Sequence, residues 1–251
     1  MKRNVYLVIL ALIAVIVGCG TSGNQPTENT VIDEQQNLPG DSTRYGLACD
    51  GCTDTIVVFL PYSGGDPDTF NILEASRNHQ VFGRPQIGDR LALVCNQQDS
   101  CVADIVIDLD QLAGQWCYQV KPRLRQRADI DKATMERMLA AIPDSVMKRL
   151  LQPHEQGFTL NGDGTARPVG MTRRATSSDE QSPVEYPHQK HYREWRILNG
   201  QLLLSETRRD TLGNSQVVSC DTARLVLLRR DSLVLCIGDT VQGYYRVREE
   251  K

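Results

Sequence analysis

The chain lacks the signatures that announce catalysis on a nucleotide or an acyl group. It has no Gly-rich phosphate loop, no dinucleotide fingerprint and no Ser-His-Asp arrangement. No nucleophile stands beside a base in an identifiable element, so an enzyme is not expected, and no cofactor is called for. Positive charge is also scarce: 28 Lys and Arg face 31 Asp and Glu over 251 residues, net −3, with no basic stripe. Such a chain is poorly suited to neutralise phosphates, which argues against nucleic acid as a partner. Long apolar runs are missing too. The run from Val5 to Val17 would cover roughly 20 Å as a helix, short of a ~30 Å hydrocarbon core, so a spanning helix is the poorer reading.

That run has a different use. Lys2 and Arg3 precede it and Gly18-Cys19 follow, the order of a secretory signal over residues 1–18. Ile16-Val17-Gly18-Cys19 resembles the bacterial lipobox, and the resemblance implies lipidation of Cys19. More than one acyl chain at ~0.8 kcal/mol per buried CH₂ would anchor the protein durably to a membrane. By resemblance to bacterial lipoproteins, Gly20 after that cysteine fits an outer-membrane lipoprotein. The periplasm-facing leaflet is expected, with the cell surface as the alternative. Residues 19–42 are rich in Gly, Thr, Asn, Gln, Glu and Pro without an aromatic residue, which is the composition of a disordered tether. Its length gives a reach of roughly 25–30 Å.

All eight cysteines lie at or beyond Cys19, and lipidation leaves seven, an odd number that cannot all pair within one chain. Cys49-Asp50-Gly51-Cys52 is the most suggestive motif: two thiols at this spacing can bridge, or grip half a soft-metal site that Cys95 and Cys101 would complete. A structural bridge, Cys49–Cys52 or Cys95–Cys101, is the expected outcome for an exported protein.

Residues 43–108 alternate short apolar runs with turn formers such as Ser63-Gly64-Gly65-Asp66-Pro67 and Gly88-Asp89. About five strands fit, enough for a small β-barrel resembling an OB or SH3 fold. Residues 109–251 give a clearer count of eight: 114–120, 157–160, 165–171, 192–198, 201–208, 216–228, 233–237 and 241–248, with Asn199-Gly200 as the strongest hairpin signal. Eight antiparallel strands can close and leave no exposed edge. A helical insert follows the first strand. Asp129 or Asp131 can cap it, Met135, Met138 and Leu139 recur at helical spacing, Pro143 breaks it, and Val146, Leu150 and Leu151 resume, placing it as a lid over a barrel mouth. The polar stretch 172–191 reads as an exposed rim loop.

Leu112-Ala113-Gly114-Gln115-Trp116, the insert, Gly157–Ala166, Tyr192-Arg193-Glu194-Trp195, Asn199–Leu204 and Asp231–Leu235 together resemble the lipocalin-like domain of lipoproteins from anaerobic gut bacteria. That resemblance implies an eight-stranded calycin barrel with Trp116 at its floor, Trp195 at a second marked position, and a late arginine, Arg246 or Arg248, packed on Trp116. A binding barrel would have a cavity lined by alternating residues of the strands that hold Trp195, Ile197, Leu202, Leu204, Val226 and Tyr245. The expected function is that of a membrane-anchored envelope lipoprotein binding a small apolar ligand or another envelope protein. The alternative is a metal or thiol-redox sensor using Cys49 and Cys52, since a CxxC with a lipid anchor and a barrel also resembles copper- and stress-sensing lipoproteins, in reversed domain order. His188 and His191 lie close enough to ligate a metal but have no fixed partner in a regular element. Asn161-Gly162-Asp163-Gly164 lacks the closing glutamate of a calcium loop and reads as a hairpin turn. A pair of acids such as Asp108 and Asp110 on one strand face could serve acid–base work, but exposed strand carboxylates are common and a structural role is the expected one.

Overall fold

In the computed structural model, residues 39–125, 130–170, 183–209 and 215–247 are described. The leader, Cys19, most of the tether, Asp129, much of the rim loop and Arg248 lie outside them. The first sheet is built from β1 (Thr43–Ala48), β2 (Ile56–Pro61), β3 (Asp68–Asn71), β4 (Val81–Phe82), β5 (Arg90–Cys95) and β6 (Ala103–Asp108), with α1 (Leu73–Arg77) between β3 and β4. A short helix, α2 (Leu109–Leu112), leads into the second sheet. Its strands are β7 (Gly114–Val120), β9 (His154–Leu160), β10 (Ala166–Gly170), β12 (Glu194–Leu198), β13 (Gln201–Arg209), β14 (Ser215–Leu228), β15 (Ser232–Ile237) and β16 (Thr240–Arg246). Between β7 and β9 come β8 (Arg123–Leu124), α3 (Lys132–Ala140) and α4 (Asp144–Leu150); β8 pairs with β11 (Val184–Glu185).

The first sheet has the order β3-β2-β1-β5-β6-β4 and is antiparallel except for β4 on β6. Its flanks curl toward each other. Asn71 meets Val102 in a parallel bridge, and the Asn71 N–H donates to the Cys101 carbonyl at 2.8 Å. Phe59, Phe70, Ile72, Leu91, Leu93 and Val106 fill the space inside.

The second sheet has the order β10-β9-β7-β16-β15-β14-β13-β12, antiparallel throughout. The protein is therefore mainly β, with a nearly closed eight-stranded antiparallel barrel. Closure across the β10–β12 seam rests on the Thr165–Glu194 bridge and on two backbone bonds, Ala166 N–H to Arg193 O at 2.7 Å and Trp195 N–H to Gly164 O at 2.8 Å. The opening strand β7 pairs with the terminal strand β16, Cys117 facing Tyr245 and Trp116 facing Arg246. Asn199 (φ 50°) and Gly200 (φ 76°) both take positive φ, as a two-residue turn matching the strand twist requires.

Period-two alternation turns Trp116, Phe158, Leu160, Trp195, Ile197, Leu202, Leu204, Leu233 and Leu235 inward, and all are buried. The same cluster continues without a gap into Tyr45, Phe82, Ala92 and Ile107 of the first sheet. Polar bonds lock the junction. Tyr45 donates its hydroxyl to the Ile197 carbonyl at 2.7 Å, and the Arg90 guanidinium binds both the Asp110 carboxylate and, at 2.7 Å, the Gly162 carbonyl. The first sheet thus plugs the barrel at the end where β7 starts.

The insert forms two helices as expected, with Asp131 capping α3 by accepting from Thr134 N–H at 3.0 Å and Pro143 standing just before α4. Its expected role as a lid needs correcting. Neither helix buries a residue fully; Met135, Leu139, Val146, Met147 and Leu150 are half-buried, and no residue of the insert borders the cavity at the barrel mouth.

Asp108 sits at the junction, 2% exposed, and caps α2 by accepting from Gln111 N–H at 2.8 Å. Burial pushes its carboxyl up to about 6 against that hydrogen bond, with Asp89 and Asp110 adding to the rise. A carboxyl raised in the folded state contributes stability that is complete below the unfolded value near 4 and lost as pH rises through about 6. Asp108→Asn keeps the cap without the charge. Relative to the variant, the parent should lose on the order of 2–3 kcal/mol between pH 4 and pH 7, read by urea unfolding at each pH. Parallel stability curves would refute this.

Candidate functional site

The two ends of the barrel differ. At the closed end Trp116 is fully buried and donates its indole N–H to the Leu112 carbonyl at 2.8 Å. Arg246 lies over that ring, Cζ 4.5 Å from its centroid, and donates to the Gln111 carbonyl. Of the two late arginines considered, the one on the inward row of β16 takes this place. Gly114 (φ 147°) makes it possible, since a Cβ there would stand 2.9 Å from the guanidinium.

At the open end the wall recedes and leaves a cavity of about 210 Å³. Four rings form its sides: Tyr118, Phe158, Tyr192 and Tyr244, with Tyr118 and Tyr244 meeting edge to face at 5.3 Å and Phe158 and Tyr192 at 6.1 Å. Burial raises all three tyrosine hydroxyls above their ordinary value, so they are neutral donors at any physiological pH. Tyr192 also donates to Asp221 at 2.5 Å, and Lys190 pairs with the same carboxylate at 2.6 Å. Burial alone would raise the Asp221 carboxyl, but these two partners hold it below the usual range.

Gln189 is one of the polar residues on the lining. Its amide nitrogen donates to Gly157 O at 2.9 Å and Val169 O at 2.7 Å, which fixes the amide orientation. Its Oε1 is then buried with no hydrogen-bond partner. Gln156, 4% exposed and paired with inward-facing Tyr118, carries a second unpartnered Oε1. A buried acceptor left unmade costs about 1–3 kcal/mol.

The residues expected to line a cavity are placed otherwise. Trp195, Ile197, Leu202 and Leu204 are inside the barrel, but they fill it; none borders the mouth cavity. Val226 and Tyr245 are corrections of a different kind, for they face outward at 42% and 38% exposure. A register shift between Leu225 and Leu227 upsets the alternation near Val226. On β16 the inward row is Gln242, Tyr244 and Arg246, so Tyr245 turns outward and donates to Glu155 at 2.5 Å. One signal for the mouth was available in the chain. With Trp116 inward, a period of two puts Tyr118 on the same face. Gln189 follows no regular element and had no such signal.

The cysteine expectations also need correcting. All seven described cysteines are free thiols, so neither Cys49–Cys52 nor Cys95–Cys101 is bridged. The Cys52 thiol instead meets backbone, 3.2 Å from Cys49 O and accepting from Val58 N–H at 3.4 Å. A four-thiol site is ruled out by register: Thr43 pairs with Val94 and Leu47 with Arg90, so Cys95 and Cys49 lie past opposite ends of β1, roughly 20 Å apart. Among the described residues no three potential ligands gather to hold a metal, His188 and His191 included. Asp108 and Asp110 are engaged, one as a helix cap and the other by Arg90.

No protein-family model, curated protein or solved structure matches this chain.

Gln156→Met removes an unpartnered oxygen from an apolar wall while keeping the volume. The variant should match the parent in stability or exceed it by about 1 kcal/mol in denaturant titration. A loss above about 2 kcal/mol would mean that the oxygen has a partner.

Proposed function

We propose that this is a membrane-anchored envelope lipoprotein whose lipocalin-like barrel binds a small, flat ligand at its open end. The observation that carries the reading is the mouth cavity itself: about 210 Å³, walled by aromatic rings. The floor below it is packed solid by Trp116, Trp195, Leu204 and Leu235, which leaves no room for a long acyl chain. The ligand is therefore small and aromatic or alicyclic. This narrows the apolar ligand expected from the chain.

Several features support the lipocalin-like reading: the eight-stranded meander, the helix closing its floor, and the tryptophan covered by a late arginine. For the first module an OB-like barrel is the reading we favour, because β3 touches the start of β6 in parallel and α1 follows β3. Anchoring through Cys19 rests on the lipobox resemblance.

One experiment addresses both parts. Protein purified from its native envelope is analysed by mass spectrometry, for the mass of its N-terminal peptide and for small molecules released on denaturation. An acylated Cys19 and a released compound of this class are expected. The compound should be absent from Gln242→Trp, which fills the cavity, and retained by a surface control. An unmodified N-terminal peptide would overturn the anchor, and retention of the compound by Gln242→Trp would overturn the site.

A further inference from the structure

A second concavity lies far from the mouth, between the first sheet and the outer wall of the barrel, and encloses about 860 Å³. That volume falls within the range of binding clefts and is several times that of the mouth. One side is formed by the β1–β2 loop at Cys52–Asp54, by Ser76 and His79 around α1, and by 81–86; the other by Val226–Arg229 and Val234. The shared core and the Tyr45 and Arg90 bonds hold these walls at a set distance, so the cleft is preformed.

Its chemistry is graded. Val57, Ile72, Phe82 and Leu228 form an apolar bottom, and Val226 stands exposed at the lip. Arg84 and Arg229 stand exposed at the rim, and neither guanidinium has an ion pair or side-chain hydrogen bond among the described residues. Asp54 is the single carboxylate on the lining. One further observation favours an extended chain as occupant. β4 is an edge strand, hydrogen-bonded to β6 on one side, and its Val81 and Phe82 border the cleft. An edge offers backbone groups to an incoming strand.

We propose that this cleft binds an extended acidic segment of a partner protein, in which carboxylates alternate with aliphatic side chains. The aliphatic side chains enter toward Phe82 and Val226, and the carboxylates pair with Arg84 and Arg229 in the bidentate geometry that guanidinium favours. The site shares no residue with the barrel mouth, so it stands or falls independently of the small-ligand reading.

The test uses the full chain and a dye-labelled, terminally blocked hexapeptide alternating Glu and Val, followed by fluorescence anisotropy. Binding is expected to weaken with added salt and to be absent for the matching Lys-Val peptide. Arg84→Glu and Arg229→Glu should each weaken it about tenfold. Val226→Trp, which blocks the lip without touching charge, should do the same, while Gln242→Trp should leave it unchanged. Thermal unfolding of each variant checks its fold. Absence of binding to the parent, equal binding to the charge-reversed and blocked variants, or displacement of the probe by decanoate or by a peptide of the chain's own residues 20–38 would overturn the proposal.

Discussion

The fold depends on a clamp at the barrel floor. Arg246, near the end of the described chain, lies on the face of Trp116 and bonds back to the helix before it, while the indole N–H closes on the same helix. Strands separated by more than a hundred residues are thereby joined through side chains as well as through the β7–β16 ladder. A guanidinium buried in an apolar setting is costly unless a ring face and carbonyls receive it. Here the Trp116 face and the Gln111 carbonyl receive it, although its Nε is buried without a hydrogen-bond partner, and Gly114 provides the space.

From this closed end the consequences run in two directions. Upward, bulky side chains fill the barrel until the level of Phe158, and only the last turn of wall stays open. Outward, the helix that receives Trp116 and Arg246 also carries Asp110, whose carboxylate holds Arg90 of the first sheet. The floor and the joint between the two sheets are thus one polar network above one continuous core. The cleft between the sheets keeps its shape for the same reason.

Much of the architecture was legible in the chain because hairpins with short turns leave clear marks. Asn199-Gly200 and Asn161-Gly162-Asp163-Gly164 each mark a hairpin, and eight segments separated by such turns led to the right strand count and to the pairing of first and last strands. The candidate site was less legible. Alternation tells which residues face inward, but whether a barrel is hollow depends on how inward side chains from eight strands share volume, a property of the assembled cross-section. Trp195 and Leu204 fill where a cavity was expected. The bulge at Leu225–Leu227 and the inverted row at Tyr245 are register effects, and one residue of slip exchanges the faces. The cysteines misled because spacing in the chain says nothing of which end of a strand each occupies.

The clamp can be measured directly. In a double-mutant cycle of Trp116→Phe and Arg246→Met, followed by urea unfolding with Trp195 fluorescence as the probe, the two substitutions should be coupled by about 1–2 kcal/mol. Additive effects, with no coupling beyond the error of the cycle, would contradict a barrel closed by this pair.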